Sequence, residues 1–437
     1  MHAFNLPRKE GSKMSALVIR GGQRLVGEVD VAGSKNTALA ILSAVVLAEG
    51  KIVLHNVPAV SDTRIKARLL EKFGAVTQWE GSTLNVDCTH LHDGDADEET
   101  VRSIRTSFYL LGPLVARLGR VTLPAPGGCK IGARPVDYHL KGLALLGATV
   151  NLEGGIYSAS TMGLRGAEIY LDTPSAGATQ HLMSAAATAD GITTIDNAAL
   201  EPEIVALAAF LNSLGARIEG AGTSKITIQG VKKLSGGTFT IPADRMQAGT
   251  YLLAGAITHG DVTVRGILPE TQTAVINKLR EAGAEVTEGA DWVRVVVNKR
   301  LKAINVITMP HPGFPTDMQQ PMAALLTLAK GTSLVEETVY ESRIGHVPEL
   351  NRMGAKIKLI NGKSAMIDGV TKLQGAVVEA SDLRAGAALV LAGLAASGET
   401  VVKNVIFIDR GYERLEQTLT SLGADIKRVE VHETELA

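Results

Sequence analysis

The sequence predicts an α/β protein of two domains, each built from three βαβαββ units with sheets outside and apolar helices inside. The first observation is length, because 437 residues exceed what one compact core usually holds. The second is a pattern that occurs six times, an apolar-periodic run that ends in Gly-Ala and continues as a strand-like run. The third is its near-constant period of 68 to 73 residues, which is typical of a repeat architecture. The glycines of the six copies are Gly74, Gly147, Gly215, Gly283, Gly354 and Gly423.

Each copy of the pattern predicts one helix followed at once by one strand. The stretch LREAGAEVTE is an example, with apolar residues at helical spacing before the glycine and a β-rich run after it. A glycine at this point suits the left-handed residue that ends many helices. Charged residues in EKF, KLREAG and ELNRMG make these helices amphipathic, so we expect them to face solvent.

A second helix lies in the other half of most repeats and is apolar nearly all round. Examples are ILSAVVLAEGKIVLHNV, LMSAAATADGITTIDNA, YLLAGAITHGDVTVRGI and LVLAGLAASGETVVKNV, each continuing into a strand. Helices of this kind are buried in globular proteins. We therefore expect them inside each domain, with the sheets packed around them.

The six repeats divide between two domains. We expect the first at residues 35–242, with the loop that carries Cys129, and the second at residues 14–34 together with 243–430. The opening strand in ALVIRGGQRLVGEVDVAG either precedes the first repeat or completes the sixth, and the latter makes the second domain discontinuous. Residues 1–13 and 431–437 are expected to be flexible tails.

Composition and charge exclude several classes of protein. A net charge of -1 gives no general attraction to nucleic acid or to an acidic membrane surface. Two cysteines cannot build a disulfide framework in a chain of this size, and no apolar run reaches the length of a membrane span. The stretch MHAFNLPRKEGSKM lacks the apolar core of a secretory signal, so we expect a cytoplasmic protein with a leader before Met14.

Short polar tags open the apolar helix of several repeats, namely GSKNTA, SAGATQ, ADRMQA, TDMQQP and SDLRAG. Any one of them alone is best interpreted as an ordinary helix N-cap. Together they place several helix starts, with the cations Lys35, Arg245 and Arg384, at equivalent positions of a repeated fold. Because helix N-termini bind anions, we expect a cleft between the domains that accepts a substrate with several negative charges.

One glycine-rich loop, PAPGGCKIGARPVDYHLKG, carries an unusual cysteine. Cys129 lies between glycines and close to Lys130 and Arg134, where burial is not expected. Nearby cations lower the pKa of a thiol, whereas a bound phosphate would raise it again, so the protonation state stays open. Cys88 in LNVDCTH alternates like a strand residue and is interpreted as structural.

Seven motifs carry a resemblance to a known family: GSKN, GGCKIGARPVD, EPEIV, FPTDMQ, HVPEL, SDLRAGAALVLAG and IDRGYE, in this order. They resemble the enolpyruvyl transferases, and most closely the branch that acts on UDP-N-acetylglucosamine, over residues 17–429. The resemblance implies an inside-out α/β barrel of two domains with the active site in the interdomain cleft. That fold agrees with the three βαβαββ units per domain counted above.

The resemblance also implies a reaction. Members of this branch move the enolpyruvyl group of phosphoenolpyruvate to the 3'-hydroxyl of UDP-N-acetylglucosamine and release phosphate, by addition and then elimination through a tetrahedral ketal. This is the first committed step of peptidoglycan synthesis. No metal or redox cofactor is implied, and the expected partners are the two substrates, without nucleic acid or membrane insertion.

Roles at the reacting centre follow from the same resemblance. Cys129 matches the acid that protonates carbon 3 of the enol, and it is also where the family forms a covalent adduct with the enol carbon. Asp317 matches the carboxylate that takes the proton of the attacking sugar hydroxyl. The positions that match phosphoenolpyruvate contacts are Lys35, Asn36, Arg134 and Arg410.

Further positions match nucleotide-sugar contacts or support of the active site. Arg343, Asp382 and Arg384 match supporting residues near the reaction centre. Thr173 departs from the pattern, because some members carry a lysine there that contacts the diphosphate. The matching nucleotide-sugar contacts are Arg105, Pro135, Val136, Asp137, Tyr138, Ser175, Ala176, Gly177, Asp317 and Val339.

Two other functions remain open. The shikimate branch of the same family moves the enolpyruvyl group to shikimate 3-phosphate, and the cysteine loop with RPVD argues against it. A catalytically silent nucleotide-sugar sensor of this fold is a different class of protein. It is disfavoured because the chain keeps Cys129, Asp317, Lys35 and Arg410 together.

Two residue pairs have rival interpretations. His139 and His346 are candidate metal ligands, but no Cys, His or carboxylate cluster has the required spacing. Glu201 and Glu203 in EPEIV are a candidate acid–base pair. A solvated helix start is the expectation here, with Pro202 in the first turn.

Overall fold

A computed structural model of the protein describes residues 14–94, 96–127, 136–340 and 342–431. The strands in these ranges are β1 (Met14–Arg20), β2 (Val26–Asp30), β3 (Ala48–His55), β4 (Val76–Glu80), β5 (Thr83–Asp87), β6 (Arg120–Pro124), β7 (Thr149–Glu153), β8 (Ile156–Ser160), β9 (Glu168–Tyr170), β10 (Ile192–Asp196), β11 (Arg217–Glu219), β12 (Lys225–Gln229), β13 (Leu234–Thr240), β14 (Asp261–Arg265), β15 (Glu285–Glu288), β16 (Trp292–Val296), β17 (Val306–Ile307), β18 (Thr332–Glu336), β19 (Lys356–Ile360), β20 (Ser364–Asp368), β21 (Val377–Glu379), β22 (Glu399–Lys403) and β23 (Asp425–Val431).

Helices alternate with these strands along the chain. The α-helices are α1 (Lys35–Ala44), α2 (Ser61–Lys72), α3 (Glu98–Ser103), α4 (Leu111–Leu118), α5 (Asp137–Leu145), α6 (Ala176–Ala186), α7 (Pro202–Ser213), α8 (Arg245–Ile257), α9 (Thr273–Ala282), α10 (Thr316–Leu326), α11 (His346–Arg352), α12 (Leu383–Ala395) and α13 (Leu415–Ser421). Short 3-10 helices span Val45–Leu47, Arg105–Leu110, Pro269–Gln272 and Val405–Arg410.

The chain divides into two compact units. Unit 1 holds residues 1–30, 246–308 and 316–437, and unit 2 holds residues 31–245 and 309–315. Among the described residues, unit 1 contains the sheets β21-β22-β1-β23, β15-β16-β14-β2 and β17-β18-β20-β19, and unit 2 contains β11-β12-β10-β9, β13-β3-β5-β4 and β6-β8-β7. Each unit therefore has three sheets, as the repeat count predicts.

Five of the described sheets share one topology. In the sheet of β2, β14, β16 and β15, the edge strand β2 runs parallel to β14, and the other two pairings are antiparallel. In the sixth repeat β1 takes the third place, because it pairs with β22 on one side and β23 on the other. The opening strand of the chain thus completes the last sheet.

The six repeat glycines all adopt the left-handed conformation that the sequence predicts. Their φ angles lie between 88° and 105°. After α9, the amide of Gly283 donates to the Arg280 carbonyl and the amide of Ala284 donates to the Leu279 carbonyl, which satisfies two carbonyls at the helix end. A side chain at this φ is strained, so glycine fixes the point at which each helix turns into its strand.

The apolar helices are buried, as predicted. All residues are buried in the stretches 178–186 of α6, 246–257 of α8 and 384–394 of α12. Full burial of one aliphatic side chain contributes about 1.5–3 kcal/mol to folding. These helices therefore form the cores on which the sheets pack.

The unit boundaries differ from the predicted ones by a few residues. The amide of Ser34 donates to the Pro242 carbonyl, and the amide of Asp244 donates to the Ala32 carbonyl. Residues 31–34 and 243–245 were predicted in the second domain, but they belong to unit 2, so the divisions fall at 30/31 and 245/246. Residues 309–315 also belong to unit 2, which the repeat pattern did not predict.

Three other predictions concern the ends of the chain and the core. Residues 1–13 and 432–437 lie outside the described residues, whereas Val431 ends β23 and is not part of a tail. Cys88 directly follows β5 and is fully buried, which confirms its structural interpretation. None of the helices in the described part of the chain has the length and apolar character needed to span a bilayer.

Candidate active site

Asp317 is held by two arginines of unit 1. It is the second residue of α10, and its Oδ1 accepts a hydrogen bond of 2.7 Å from Nη1 of Arg343. Its Oδ2 accepts one of 3.0 Å from Nε of Arg384 and lies 2.9 Å from Nη2 of the same residue. The side chains of Arg343 and Arg384 are 5% and 2% exposed, whereas that of Asp317 is 24% exposed. The carboxylate is thus fixed from the protein side and reachable from solvent.

The position of Arg384 follows from the start of α12. Asp382 caps this helix, because its Oδ1 accepts from the amides of Arg384 and Ala385 at 2.9 and 3.1 Å. The Arg384 guanidinium also donates to the Tyr412 hydroxyl at 2.9 Å. That hydroxyl lies 2.8 Å from Oγ1 of Thr250. A rigid helix start and a buried tyrosine therefore orient the guanidinium that meets Asp317.

Two further predicted residues of unit 1 are Arg410 and Val339. Arg410 is the last residue of the 3-10 helix Val405–Arg410 and is half-buried. It is two residues before Tyr412, so its backbone is continuous with the cluster around Arg384. Val339 follows β18, and its amide donates to Oε1 of Glu337 at 2.8 Å.

Lys35 is fixed at the first residue of α1 in unit 2. Ser34 caps this helix by accepting from the amide of Thr37, and the amide of Lys35 donates to Oδ2 of Asp244 at 3.1 Å. The ammonium of Lys35 lies 3.4 Å from Oδ2 of Asp62, and both side chains are largely buried. The following residue, Asn36, is exposed. The predicted phosphoenolpyruvate contacts Lys35 and Asn36 therefore share one helix start.

Two helix starts of unit 2 meet around Tyr138. Val136 precedes α5, Asp137 opens it and is exposed, and the hydroxyl of Tyr138 lies 2.8 Å from Oγ1 of Thr173. Ser175 caps α6 by accepting from the amide of Ala178 at 3.3 Å, and Ala176 and Gly177 form its first turn. Thr173 is the position at which the resemblance implies a lysine in some members, and here its hydroxyl contacts Tyr138. The contact between Tyr138 and Thr173 thus joins the start of α5 to the segment that precedes α6.

An aromatic cluster lies against the start of α6. A Cβ on Gly177 would clash with the Tyr109 hydroxyl, so a larger residue there requires Tyr109 to move. Tyr109 stacks on His139 with 5.5 Å between ring centroids, and Nδ1 of His139 lies 3.1 Å from Nδ1 of His181. Burial, with a smaller effect of Arg105, lowers the pKa of His139 to about 3. Burial also holds the pKa of His181 well below its usual value.

Arg105 lies beside the cysteine loop. It opens the 3-10 helix Arg105–Leu110, and its Nη1 donates to the carbonyl of Gly127 at 3.5 Å. Gly127 is the last described residue of this stretch before Cys129. Cys129, Arg134 and Pro135 lie outside the described residues, so their predicted roles stay predictions.

The comparison with protein families decides the class of this chain. A family model described as EPSP synthase (3-phosphoshikimate 1-carboxyvinyltransferase) matches residues 19–419. The chain belongs to the EPSP synthase family. An inside-out barrel of βαβαββ units is the fold that the sequence predicts for such a member.

Named relatives of this EPSP synthase family member match almost the whole chain. "UDP-N-acetylglucosamine 1-carboxyvinyltransferase 3" of Symbiobacterium thermophilum is 49% identical over 95% of this chain and 98% of its own length. "UDP-N-acetylglucosamine 1-carboxyvinyltransferase" of Desulfatibacillum aliphaticivorans is 48% identical over 95% and 100%. The crystal structure of the enolpyruvyl transferase NikO from Streptomyces tendae has 27% identity, covers 96% of this chain and all of its own, and has a TM-score of 0.87.

One expectation for this family member is wrong. Glu201 and Glu203 were expected at a solvated helix start, but Glu203 is buried and binds Arg245 through both carboxylate oxygens at 2.9 and 3.2 Å. Burial, with the charge of Glu203, raises the pKa of Glu201. Pro202 does open α7, as predicted. The Glu203 carboxylate of EPEIV therefore forms a buried ion pair with Arg245 inside unit 2.

His139 and His346, the candidate metal ligands, are both buried. No group of three or more His, Cys, Asp or Glu side chains there is arranged to hold a metal ion. His139 is paired with His181, and burial lowers the pKa of His346 to about 4. Among the described residues, neither ring nitrogen of His346 has a hydrogen-bond partner.

Several residues of the site were missed from the sequence. Asp62 meets Lys35, Tyr412 orients Arg384, and Thr316 accepts from Nη1 of Arg343 at 3.0 Å. Tyr412 and Thr316 belong to the motifs IDRGYE and FPTDMQ, so the motifs contained a signal. Asp62 had none, because an aspartate in the first turn of a helix is common without any role.

Proposed function

We propose that this chain transfers the enolpyruvyl group of phosphoenolpyruvate to the 3'-hydroxyl of UDP-N-acetylglucosamine and releases inorganic phosphate. The observation that carries the proposal is the identity of 48–49% with UDP-N-acetylglucosamine 1-carboxyvinyltransferases over 95% of the chain. The shared family model is named for the enzyme that uses 3-phosphoshikimate, so the acceptor is the point to test.

In the addition step the sugar oxygen bonds to carbon 2 of phosphoenolpyruvate and carbon 3 gains a proton. We assign the removal of the hydroxyl proton to Asp317, which two arginines fix while a quarter of its side chain stays exposed. We assign the delivery of the proton to carbon 3 to Cys129. In the elimination step carbon 3 loses a proton, the bond from carbon 2 to the phosphate oxygen breaks, and phosphate leaves.

Cations at fixed positions bind the small substrate in this proposal. Lys35 is at a helix N-terminus with its ammonium near Asp62, and Arg410 ends a 3-10 helix. With Arg134 and Asn36 they would bind the phosphate and carboxylate groups, since charge-assisted hydrogen bonds to anions are about twice as strong as neutral ones.

The nucleotide sugar is assigned to the starts of α5 and α6 and to the Val339 segment. The first turn of α6 has backbone amides that suit the diphosphate. Thr173 supplies a hydroxyl bound to Tyr138 where a lysine is absent, so we expect the diphosphate to depend more on these amides. The remaining assigned contacts are Arg105, Pro135, Val136, Asp137, Ser175, Ala176 and Gly177.

The cellular setting follows from the substrates. We propose a cytoplasmic reaction that supplies peptidoglycan synthesis, and therefore cell-wall growth, cell shape and division. A phosphonate epoxide of the fosfomycin type should alkylate Cys129, because the phosphonate resembles the phosphate of the substrate and the epoxide accepts a thiolate.

Phosphate release decides between the acceptors. Purified protein is given phosphoenolpyruvate with UDP-N-acetylglucosamine, phosphoenolpyruvate with shikimate 3-phosphate, and each compound alone. We expect phosphate only in the first mixture. Phosphate release with shikimate 3-phosphate instead would assign the chain to the shikimate branch. Binding of the nucleotide sugar without any phosphate release would support the silent sensor.

A further inference from the structure

Glu337 is a buried carboxylate of unit 1 that none of the assigned roles uses. It follows β18 directly and is 1% exposed. Its Oε1 accepts from the hydroxyl of Thr308 at 2.8 Å and from the amides of Val339 and Tyr340 at 2.8 and 3.0 Å. Its Oε2 accepts from the hydroxyl of Thr316 at 2.8 Å. Four donors thus meet this carboxylate, three of them at Oε1 and one at Oε2.

The Thr316 hydroxyl links this carboxylate to the candidate base. A threonine has one proton to donate, and here the proton is directed to Glu337. The lone pairs of the same oxygen accept from Nη1 of Arg343 at 3.0 Å. Nη1 of Arg343 also donates to Asp317 at 2.7 Å. Arg343 can only donate, so the Thr316 oxygen accepts from it, and Glu337 is the acceptor that receives the Thr316 proton.

The same carboxylate fixes the segment that carries Val339. The amides of Val339 and Tyr340 point at its Oε1, which holds the turn after β18 in one conformation. Thr308 strengthens the arrangement, since its hydroxyl donates to Glu337 and accepts from the amide of Thr338 at 2.9 Å. The hydroxyl of Thr338 donates in turn to the Thr308 carbonyl.

We propose that Glu337 is a positioning residue that fixes the Val339 segment and, through the Thr316 hydroxyl and Arg343, the carboxylate of Asp317. This proposal rests on the proposed function, in which Asp317 takes the proton of the acceptor hydroxyl and Val339 contacts the nucleotide sugar. Glu337 does not itself touch a reacting atom. It couples binding of the nucleotide sugar to the geometry of the base.

The substitution Glu337→Gln tests this at almost constant volume. Glutamine has one acceptor oxygen and one NH₂ group. Its NH₂ therefore replaces either Oε1 or Oε2 and is placed against hydrogen-bond donors. If the NH₂ faces Thr316, the threonine proton loses its acceptor and the contact with Arg343 loosens. We expect kcat to fall about 10- to 100-fold, as for a misplaced catalytic group, and the KM for UDP-N-acetylglucosamine to rise.

Three variants separate the effect of Glu337 on Asp317 from its effect on the Val339 segment. Thr316→Val removes only the link to Arg343, so kcat should fall while the KM for UDP-N-acetylglucosamine stays within about threefold of wild type. Thr316→Ser keeps the hydroxyl and should restore kcat. Glu336→Gln is the matched control, because it makes the same change on the preceding residue, which ends β18.

An NMR readout of the arginine guanidinium groups keeps the test independent of turnover. The Arg343 resonances, assigned by their loss in Arg343→Lys, should move in Glu337→Gln and Thr316→Val and stay in place in Thr316→Ser and Glu336→Gln. If wild type fails to use UDP-N-acetylglucosamine, the proposed function is wrong while this signal still tests the link. Unmoved Arg343 resonances, or unchanged kcat and KM in folded Glu337→Gln and Thr316→Val, would overturn the proposal.

Discussion

Arg384 meets Asp317 side-on through a single carboxylate oxygen, with Nε at 3.0 Å and Nη2 at 2.9 Å from Oδ2. The third nitrogen of the guanidinium donates to Tyr412. All three nitrogens of Arg384 are thus used inside a site where its side chain is 2% exposed. This arrangement requires the planar fork of arginine, which an ammonium cannot reproduce.

Arg384→Lys should therefore impair both activity and stability. One ammonium cannot reach Asp317 and Tyr412 in the same geometry, so we expect kcat to fall by at least about tenfold and the free energy of unfolding to fall by about 2 kcal/mol. Steady-state kinetics and urea unfolding measure the two effects. The exposed Arg352→Lys is the control, and equal behaviour of both variants would contradict the role of Arg384.

Arg410→Ala tests the assignment of the small substrate. Loss of a charge-assisted hydrogen bond to an anion costs about 1.5–3 kcal/mol, so the KM for phosphoenolpyruvate should rise about 10- to 100-fold. The KM for UDP-N-acetylglucosamine should change far less. Arg414→Ala, at an exposed position of the same segment, serves as control. Equal increases in both KM values would count against the assignment.

The two cysteines should differ sharply in reactivity. Burial raises the pKa of the Cys88 thiol to about 12, so it stays protonated at neutral and mildly alkaline pH. We expect a phosphonate epoxide, in the presence of UDP-N-acetylglucosamine, to label Cys129 alone in the folded protein. Peptide mass spectrometry locates the adduct. The variant Cys129→Ser serves as the blank. An adduct on Cys88, or no adduct in the wild-type protein, would refute the prediction.

Buried histidines should make stability depend on acid. Burial depresses the pKa of His139 to about 3 and keeps that of His181 well below 6.5, so below pH 6.5 the unfolded chain binds protons that the folded chain does not. The free energy of unfolding should thus fall as pH falls, by up to about 1.4 kcal/mol per pH unit for each histidine.

His139→Phe removes one of these groups. The slope of unfolding free energy against pH between about pH 6 and about pH 4 should become shallower than in wild type. Urea unfolding at several pH values gives the slope. The exposed His90→Gln is the control, and a slope unchanged in His139→Phe would show that this histidine is not buried as a neutral group.

The repeat was predictable because each unit contains a conformation that glycine alone adopts cheaply. Gly74 and Gly283 have φ angles of 89° and 99°, so the fold leaves the same mark in every copy. The apolar helices were equally clear, since α8 from residue 246 onward is buried on all sides. Fold and repeat number depend on local patterns, and local patterns are what a sequence shows directly.

The contacts of the site were not predictable in this way. Asp317 and Asp382 both occur at helix starts, and each alone suggests an N-cap, which is what Asp382 is. Asp317 instead meets arginines that lie 26 and 67 residues away. The partner of Glu203 is 42 residues away, and the resulting buried pair contradicted the expected solvated helix start. Such pairings are fixed by packing, and a single sequence does not record them.

The most direct test of the account is the turnover of Asp317→Asn. Asparagine keeps the shape of the side chain but cannot take the acceptor proton, so kcat should fall at least about 100-fold. Binding of UDP-N-acetylglucosamine, measured by calorimetry, should stay within about tenfold of wild type. The exposed Asp291→Asn controls for the change itself. Turnover of Asp317→Asn within about tenfold of wild type would contradict the role of this carboxylate as the base.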